Sequence, residues 1–237
     1  MRALEARFHF RIAIRIRPCR RALPLASASR KPPVRGARGS VAGQQNGLPV
    51  ITKRSHPMTI FKGFEADRYQ QHDATIREAV LDFNNNKSAR VGCTADQATA
   101  ITTLDEDVVK SWMIQESGGG DAGSLAAWKI DPVQANVPGD WTDTKTDLGL
   151  AKPKARNEGD IKTNLKAGIV LMARKGFGKS GQAPKPTGTF DGWQVALQRY
   201  NGRTDGCANG KMYSQNYADA IWARAQDPKV ARPIQIG

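Results

Sequence analysis

Val108-Val109-Lys110-Ser111-Trp112-Met113-Ile114-Gln115-Glu116-Ser117-Gly118-Gly119-Gly120 is the stretch that decides how this chain folds. Val109, Met113 and Glu116 fall one helical turn apart, so an apolar stripe ends on a carboxylate that shares its face. Three glycines follow, which stop a helix and let backbone approach closely. A carboxylate in the last turn meets the negative end of the helix dipole, and Trp112 and Met113 surround it with apolar surface. Both effects oppose ionisation and predict a raised pKa. A carboxyl that keeps its proton near neutral pH has the chemistry of a general acid.

Working outward, the helical pattern of this stretch reaches back to Leu104. Thr103-Leu104-Asp105-Glu106 has capping-box form, with Thr103 as the N-cap and Glu106 three residues on. Periodicity predicts a helix over 69–83 from Ile76, Ala79, Val80 and Phe83. It predicts another over 161–175, with Asp160 as cap and Ile161, Leu165, Ile169 and Met172 as stripe. Two more follow over 191–200 (Trp193, Ala196, Leu197, Tyr200) and 214–226 (Tyr217, Ile221, Arg224). Between 121 and 156 the period is lost. Trp128-Lys129-Ile130, the Pro138-Gly139-Asp140 turn and Asp143 to Asp147 predict a small irregular lobe with short β-strands. The Gly/Pro/Lys segment 176–188 reads as a flap or a passive connector. The expected fold is α+β, mainly helical, with the small lobe inserted after the Glu116 helix.

The formal net charge of +14 points to a nucleic-acid binder only until the charge is located. Residues 1–57 hold 13 Lys/Arg against Glu5 alone, whereas residues 58–237 hold 23 Lys/Arg and 21 Asp/Glu. The basicity belongs to a tail rich in Arg, Pro, Gly and Ser, whose composition cannot bury a core and predicts disorder. Arg11, Arg15 and Arg17 interrupt its apolar residues, so it reads poorly as a secretory signal and better as upstream sequence or an Arg-rich transit segment. It lacks aromatic interleaving, and no nucleic-acid partner is expected. No apolar run is long enough to span a membrane. Cys19, Cys93 and Cys207 have no metal-ligand spacing; Cys93 and Cys207 are either two inert thiols or, in an oxidising compartment, a pair. His9, His56 and His72 all lie outside the motif-bearing region, so neither a histidine triad nor a histidine metal site is expected, and no cofactor is implied.

Four ordered blocks and a tyrosine after them, across about residues 104–224, carry a resemblance. They are Gln115-Glu116-Ser117-Gly118-Gly119, Ile130-Asp131-Pro132-Val133-Gln134, Asn164-Leu165-Lys166-Ala167-Gly168-Ile169, Arg199-Tyr200-Asn201-Gly202, and Tyr217. In order and spacing they resemble the lytic transglycosylases, lysozyme-like enzymes that cut the bacterial peptidoglycan strand. The resemblance implies a lysozyme-like catalytic domain over 58–237, with its motif core at 104–226. It implies that Glu116 protonates the glycosidic oxygen between N-acetylmuramic acid and N-acetylglucosamine. It further implies that Ser117 contacts the muramoyl side, and that Gln134, Tyr200, Asn201 and Tyr217 bind the glycan in the cleft. By their residue types alone, Tyr200 and Tyr217 serve equally as core, Asn201-Gly202 as a helix C-cap, and Gln134 as a tie within the lobe. Trp141, in a polar loop, is a candidate for stacking on sugar.

The chain departs from the family where Gly-Leu-Met becomes Asp131-Pro132-Val133 and where Arg199 replaces an alanine. Asp131 brings a second carboxylate toward the site. An inverting hydrolase needs such a group about 6.5–9.5 Å from the acid to activate water. Asp121, Asp131 and Asp140 are the candidates, which keeps an inverting muramidase open as an alternative. A catalytically silent wall-binding module on the same scaffold is another. The resemblance implies peptidoglycan strands as partner and action in the periplasm or cell wall. With no apolar export segment, the expectation is a phage-type lysis protein or a secreted effector made in the bacterial cytoplasm, with a delivery or immunity protein as further partner.

Overall fold

The computed structural model describes residues 69–119, 121–178 and 186–226. The basic segment 1–57 and most of the predicted flap lie outside the described residues. What is described is mainly helical. Helix α1 spans Asp73–Asn85, and two short helices follow, α2 (Lys87–Val91) and α3 (Ala95–Ala100). Helix α4 spans Glu106–Ser117, α5 Ala122–Ile130, α6 Ile161–Lys175, α7 Trp193–Asn201 and α8 Tyr213–Gln226. α4 packs on α1 and α8, α6 on α1 and α7, and α7 on α8.

The expected β lobe is corrected. Among the described residues the region 121–156 holds no strand; it opens with α5 and continues in two 3-10 turns, Pro138–Asp140 and Asp143–Leu148. Asp121 starts α5, its carboxylate accepting from the Ser124 amide at 3.0 Å. The sequence Ala-Gly-Ser-Leu-Ala-Ala-Trp-Lys-Ile buries only Ala127 and Trp128, too few positions to show a period. The lobe beyond α5 is held by side chains in place of a strand ladder. Asp131 accepts from the amides of Ala135 and Asn136 at 2.9 Å each, and the buried Lys145 ammonium donates to Ala135 O at 2.9 Å. The predicted cap of α4 is also corrected: Asp105 fills that place, accepting from the Asp107 amide at 2.8 Å. The Asp160 cap of α6 is as expected, accepting from Thr163 N at 2.9 Å.

The core joins Ile76, Val80 and Phe83 of α1 to Val109, Trp112 and Met113 of α4, Leu165, Ile169 and Met172 of α6, Leu197 of α7, and Tyr217 and Ile221 of α8. Polar bonds inside it fix how the helices sit. Ser111 Oγ donates to Ile221 O at 2.7 Å, and the Arg224 guanidinium donates to Ser111 O at 3.0 Å and Gln115 Oε1 at 2.9 Å. These bonds clamp α8 along α4. Gly168 lets α6 cross closely over the lobe: a Cβ there would lie 2.5 Å from Val133 Cγ2 and 3.4 Å from the Trp112 ring. Cys93 and Cys207 are both free thiols and half-buried. Among the described residues no helix is long and apolar enough to cross a membrane.

Candidate active site

Glu116 sits in the last turn of α4, a turn that carries no basic residue. Its carboxyl is half-buried, and the Tyr217 hydroxyl of α8 donates to Oε1. Burial is the main influence on its proton and pushes the pKa from 4.5 to about 7; the Tyr217 bond opposes the rise, the Asp131 charge adds to it, and the Trp112 indole opposes it. The raised carboxyl expected from the helix end is present. Its larger cause is the tertiary wall around it, which the local sequence shows only in part.

That wall comes from three elements. Trp112, fully buried one turn earlier on α4, packs edge-on against Tyr200 of α7 with ring centroids 4.8 Å apart. Tyr200 donates its hydroxyl to Val133 O at 3.0 Å, tying the end of α7 to the lobe. The hydroxyls of Tyr200 and Tyr217 are both pushed well above the ordinary tyrosine range, by burial first and then by the Glu116 charge. They remain protonated donors at any physiological pH.

The other predicted site residues divide. Ser117 is fully buried, and its hydroxyl donates to Pro132 O at 2.7 Å. It fastens the lobe to the helix that carries Glu116. Gln134 is half-exposed between buried Val133 and Ala135, and its backbone is held at φ 55°, a left-handed conformation costly for a side-chain-bearing residue. Asn201 ends α7, its side-chain oxygen accepting from Arg203 N at 3.3 Å, and Gly202 caps the helix at φ 70°. This bond matches the C-cap reading of Asn201-Gly202. Trp141 is half-exposed at the end of the first 3-10 turn.

Each candidate second carboxylate is engaged elsewhere. Both oxygens of the buried Asp131 accept backbone amides, both oxygens of Asp121 accept from Ser124, and Asp140 pairs with Lys145 at 3.1 Å. Asn164 of α6 donates to Ile130 O at 2.9 Å and to Glu158 O at 3.0 Å, and so holds the base of the lobe. Tyr213 went unnoticed in the sequence although it lies one turn before Tyr217 on α8. The Arg203 guanidinium stacks 3.7 Å above its ring, and the Glu116 charge reaches its hydroxyl. The spacing of Tyr213 and Tyr217 was the available signal. Two cavities, of about 290 Å³ between α1 and α6 and about 190 Å³ between α7 and α8, do not include Glu116 in their linings. Among the described residues no cluster of three His, Cys, Asp or Glu side chains could hold a metal ion.

Comparison of the chain with protein-family models, with curated proteins and with solved structures finds no match.

Proposed function

We propose that residues 58–237 form a lysozyme-like peptidoglycan-cleaving domain, a lytic transglycosylase with Glu116 as general acid and base. The observation that carries this reading is the half-buried Glu116 carboxyl, held at a pKa of about 7 beside buried tyrosine hydroxyls. Such a group is neutral often enough to donate a proton and acidic enough to take one back. Its proton passes to the glycosidic oxygen as the bond from C1 of the muramoyl residue breaks. The muramoyl 6-hydroxyl then bonds to C1 and returns its proton to the carboxylate, closing a 1,6-anhydro ring with no water consumed. One protein carboxylate suffices for this sequence. The structural engagement of Asp121, Asp131 and Asp140 favours it over the inverting route, which needs a second carboxylate free to activate water.

Gln134 is the residue we assign to the glycan side, Tyr217 to holding the Glu116 carboxyl, Tyr200 and Ser117 to holding the lobe, and Asn201 to shaping the end of α7. The wall substrate implies delivery to the periplasm, as for a secreted effector or a phage lysis protein. Digestion of purified peptidoglycan by the wild type and Glu116→Gln tests the reading by mass spectrometry. Anhydro-muropeptides from the wild type, absent with the variant, are the expected result. Reducing ends, heavier by one water, would replace transglycosylation with hydrolysis. No soluble product, with binding to the wall intact, would leave a wall-binding module.

A further inference from the structure

Trp112 presents a feature that packing alone does not account for. The side chain is fully buried, yet its indole Nε1–H has no hydrogen-bond acceptor. Buried donors are nearly always paired, because stripping water from an N–H without replacing the bond costs folding free energy. Trp112 lies four residues before Glu116 on α4, so the two side chains share one face of that helix. The edge-on contact with Tyr200 fixes the ring from one side, and Gly168 of α6 makes room for it from another. The indole N–H is close enough to Glu116 and Tyr217 to favour the ionised form of each as a hydrogen-bond donor, although it meets hydrogen-bond geometry with neither. A donor thus stands within reach of a carboxyl, short of a well-formed bond.

We propose that Trp112 is a positioning residue for Glu116: its indole N–H stays in reserve beside the neutral carboxyl and bonds the carboxylate once the proton has left. Tyr217 already donates to Oε1. With the indole as a second donor, the carboxylate is held from two directions and cannot rotate away from the edge where a substrate hydroxyl must return the proton. That last step rests on the transglycosylase reading; the hydrogen bond to the ionised carboxylate does not. The other titratable or charged groups that act on Glu116 or Tyr217 are Asp131 from the lobe, Tyr200 from α7, and Tyr213 and Arg224 from α8. None of them is a neutral N–H donor, and so the indole signal is distinguishable from theirs.

The test uses the full chain with ¹⁵N-labelled tryptophan. Indole N–H resonances are followed from about pH 5 to about pH 9, bracketing the Glu116 midpoint of about 7. The Trp112 indole proton is expected to move downfield with that midpoint and to stay still in Glu116→Gln. An indole that does not titrate, or that titrates equally in Glu116→Gln, overturns the proposal. In Trp112→Phe, which keeps a ring against Tyr200 but lacks the donor, the Glu116 midpoint read from its carboxyl ¹³C shift is expected to rise. Turnover is expected to fall on the order of tenfold with KM unchanged, the value of one hydrogen bond to a charged group. A midpoint that stays or falls refutes the role. The wild-type titration needs no variant of Trp112 to fold and no activity. A titrating indole without cleavage therefore sinks only the proposed function, and cleavage with a silent indole sinks only this inference.

Discussion

Replacing Glu116 by glutamine should stabilise the fold at alkaline pH and leave its stability nearly unchanged in acid. Glutamine keeps the shape of the side chain, and its amide oxygen can still accept from Tyr217, so the main difference is the charge. In the native state burial holds this carboxyl at about 7 in place of its ordinary 4.5. Between those values the folded chain keeps a proton that the unfolded chain has released, so stability falls as pH rises through the window. Below 4.5 both states hold the proton and there is no cost; above about 7 the cost is complete. At about 1.4 kcal/mol for each tenfold change in the proton equilibrium, the full cost is about 3 kcal/mol. The variant should recover that amount near pH 8, equal to roughly 6–12 °C in Tm for a domain of this size. Urea unfolding followed by far-UV circular dichroism, run on both proteins near pH 4 and near pH 8, measures it. A stability difference that is the same at both pH values would refute the claim that burial holds the proton on Glu116. A variant less stable than the wild type near pH 8 would refute it as well.

Gly168→Ala should push the lobe off α6, because the new methyl would lie 2.5 Å from Val133 Cγ2. The expected loss is about 1–3 kcal/mol, read as a lower Tm, with a parallel fall in activity as Val133 O moves away from the Tyr200 hydroxyl. An unchanged Tm would show that the crossing has slack. Gln134→Gly removes the conformational cost of a left-handed residue, so stability should hold or rise by up to about 1 kcal/mol while KM rises. A clear drop in Tm would instead make the Gln134 side chain a structural tie of the lobe.

The helices that bear the site were legible because each has an uninterrupted stripe. Asp160 to Lys175 reads directly as a cap followed by a regular apolar stripe, and the structure matches it. Helix α5 was illegible for the opposite reason: it buries two residues, and glycines precede it. The lobe after it misled because turns and short apolar pairs look like hairpins, whereas Asp131 and Lys145 replace the strand ladder with side-chain bonds. Among site residues, the direction of the Glu116 shift and the C-cap at Asn201-Gly202 were legible from their own helices, but the place of Ser117 was not. A serine beside a carboxylate gives no sign of which way its hydroxyl points; here it points inward to Pro132 O.

The bonds that assemble the site span very different lengths of chain. Ser117 reaches 15 residues to Pro132, Tyr200 reaches 67 back to Val133, and Tyr217 reaches 101 back to Glu116. Helix α4 alone offers Glu116 only its own dipole and one turn of apolar neighbours, which is worth a few tenths of a kcal/mol to about 1 kcal/mol at an exposed end. The larger displacement of its proton requires α7 and α8 to close over it, since desolvation is its leading cause. An unusual acid at this position is therefore a property of the closed ring of α4, lobe, α7 and α8. The two tethers between lobe and helices, Ser117 to Pro132 and Tyr200 to Val133, keep that ring shut. Loosening either should return Glu116 toward an ordinary surface acid before it unfolds the domain, because α1, α6 and the Arg224 clamp do not depend on them.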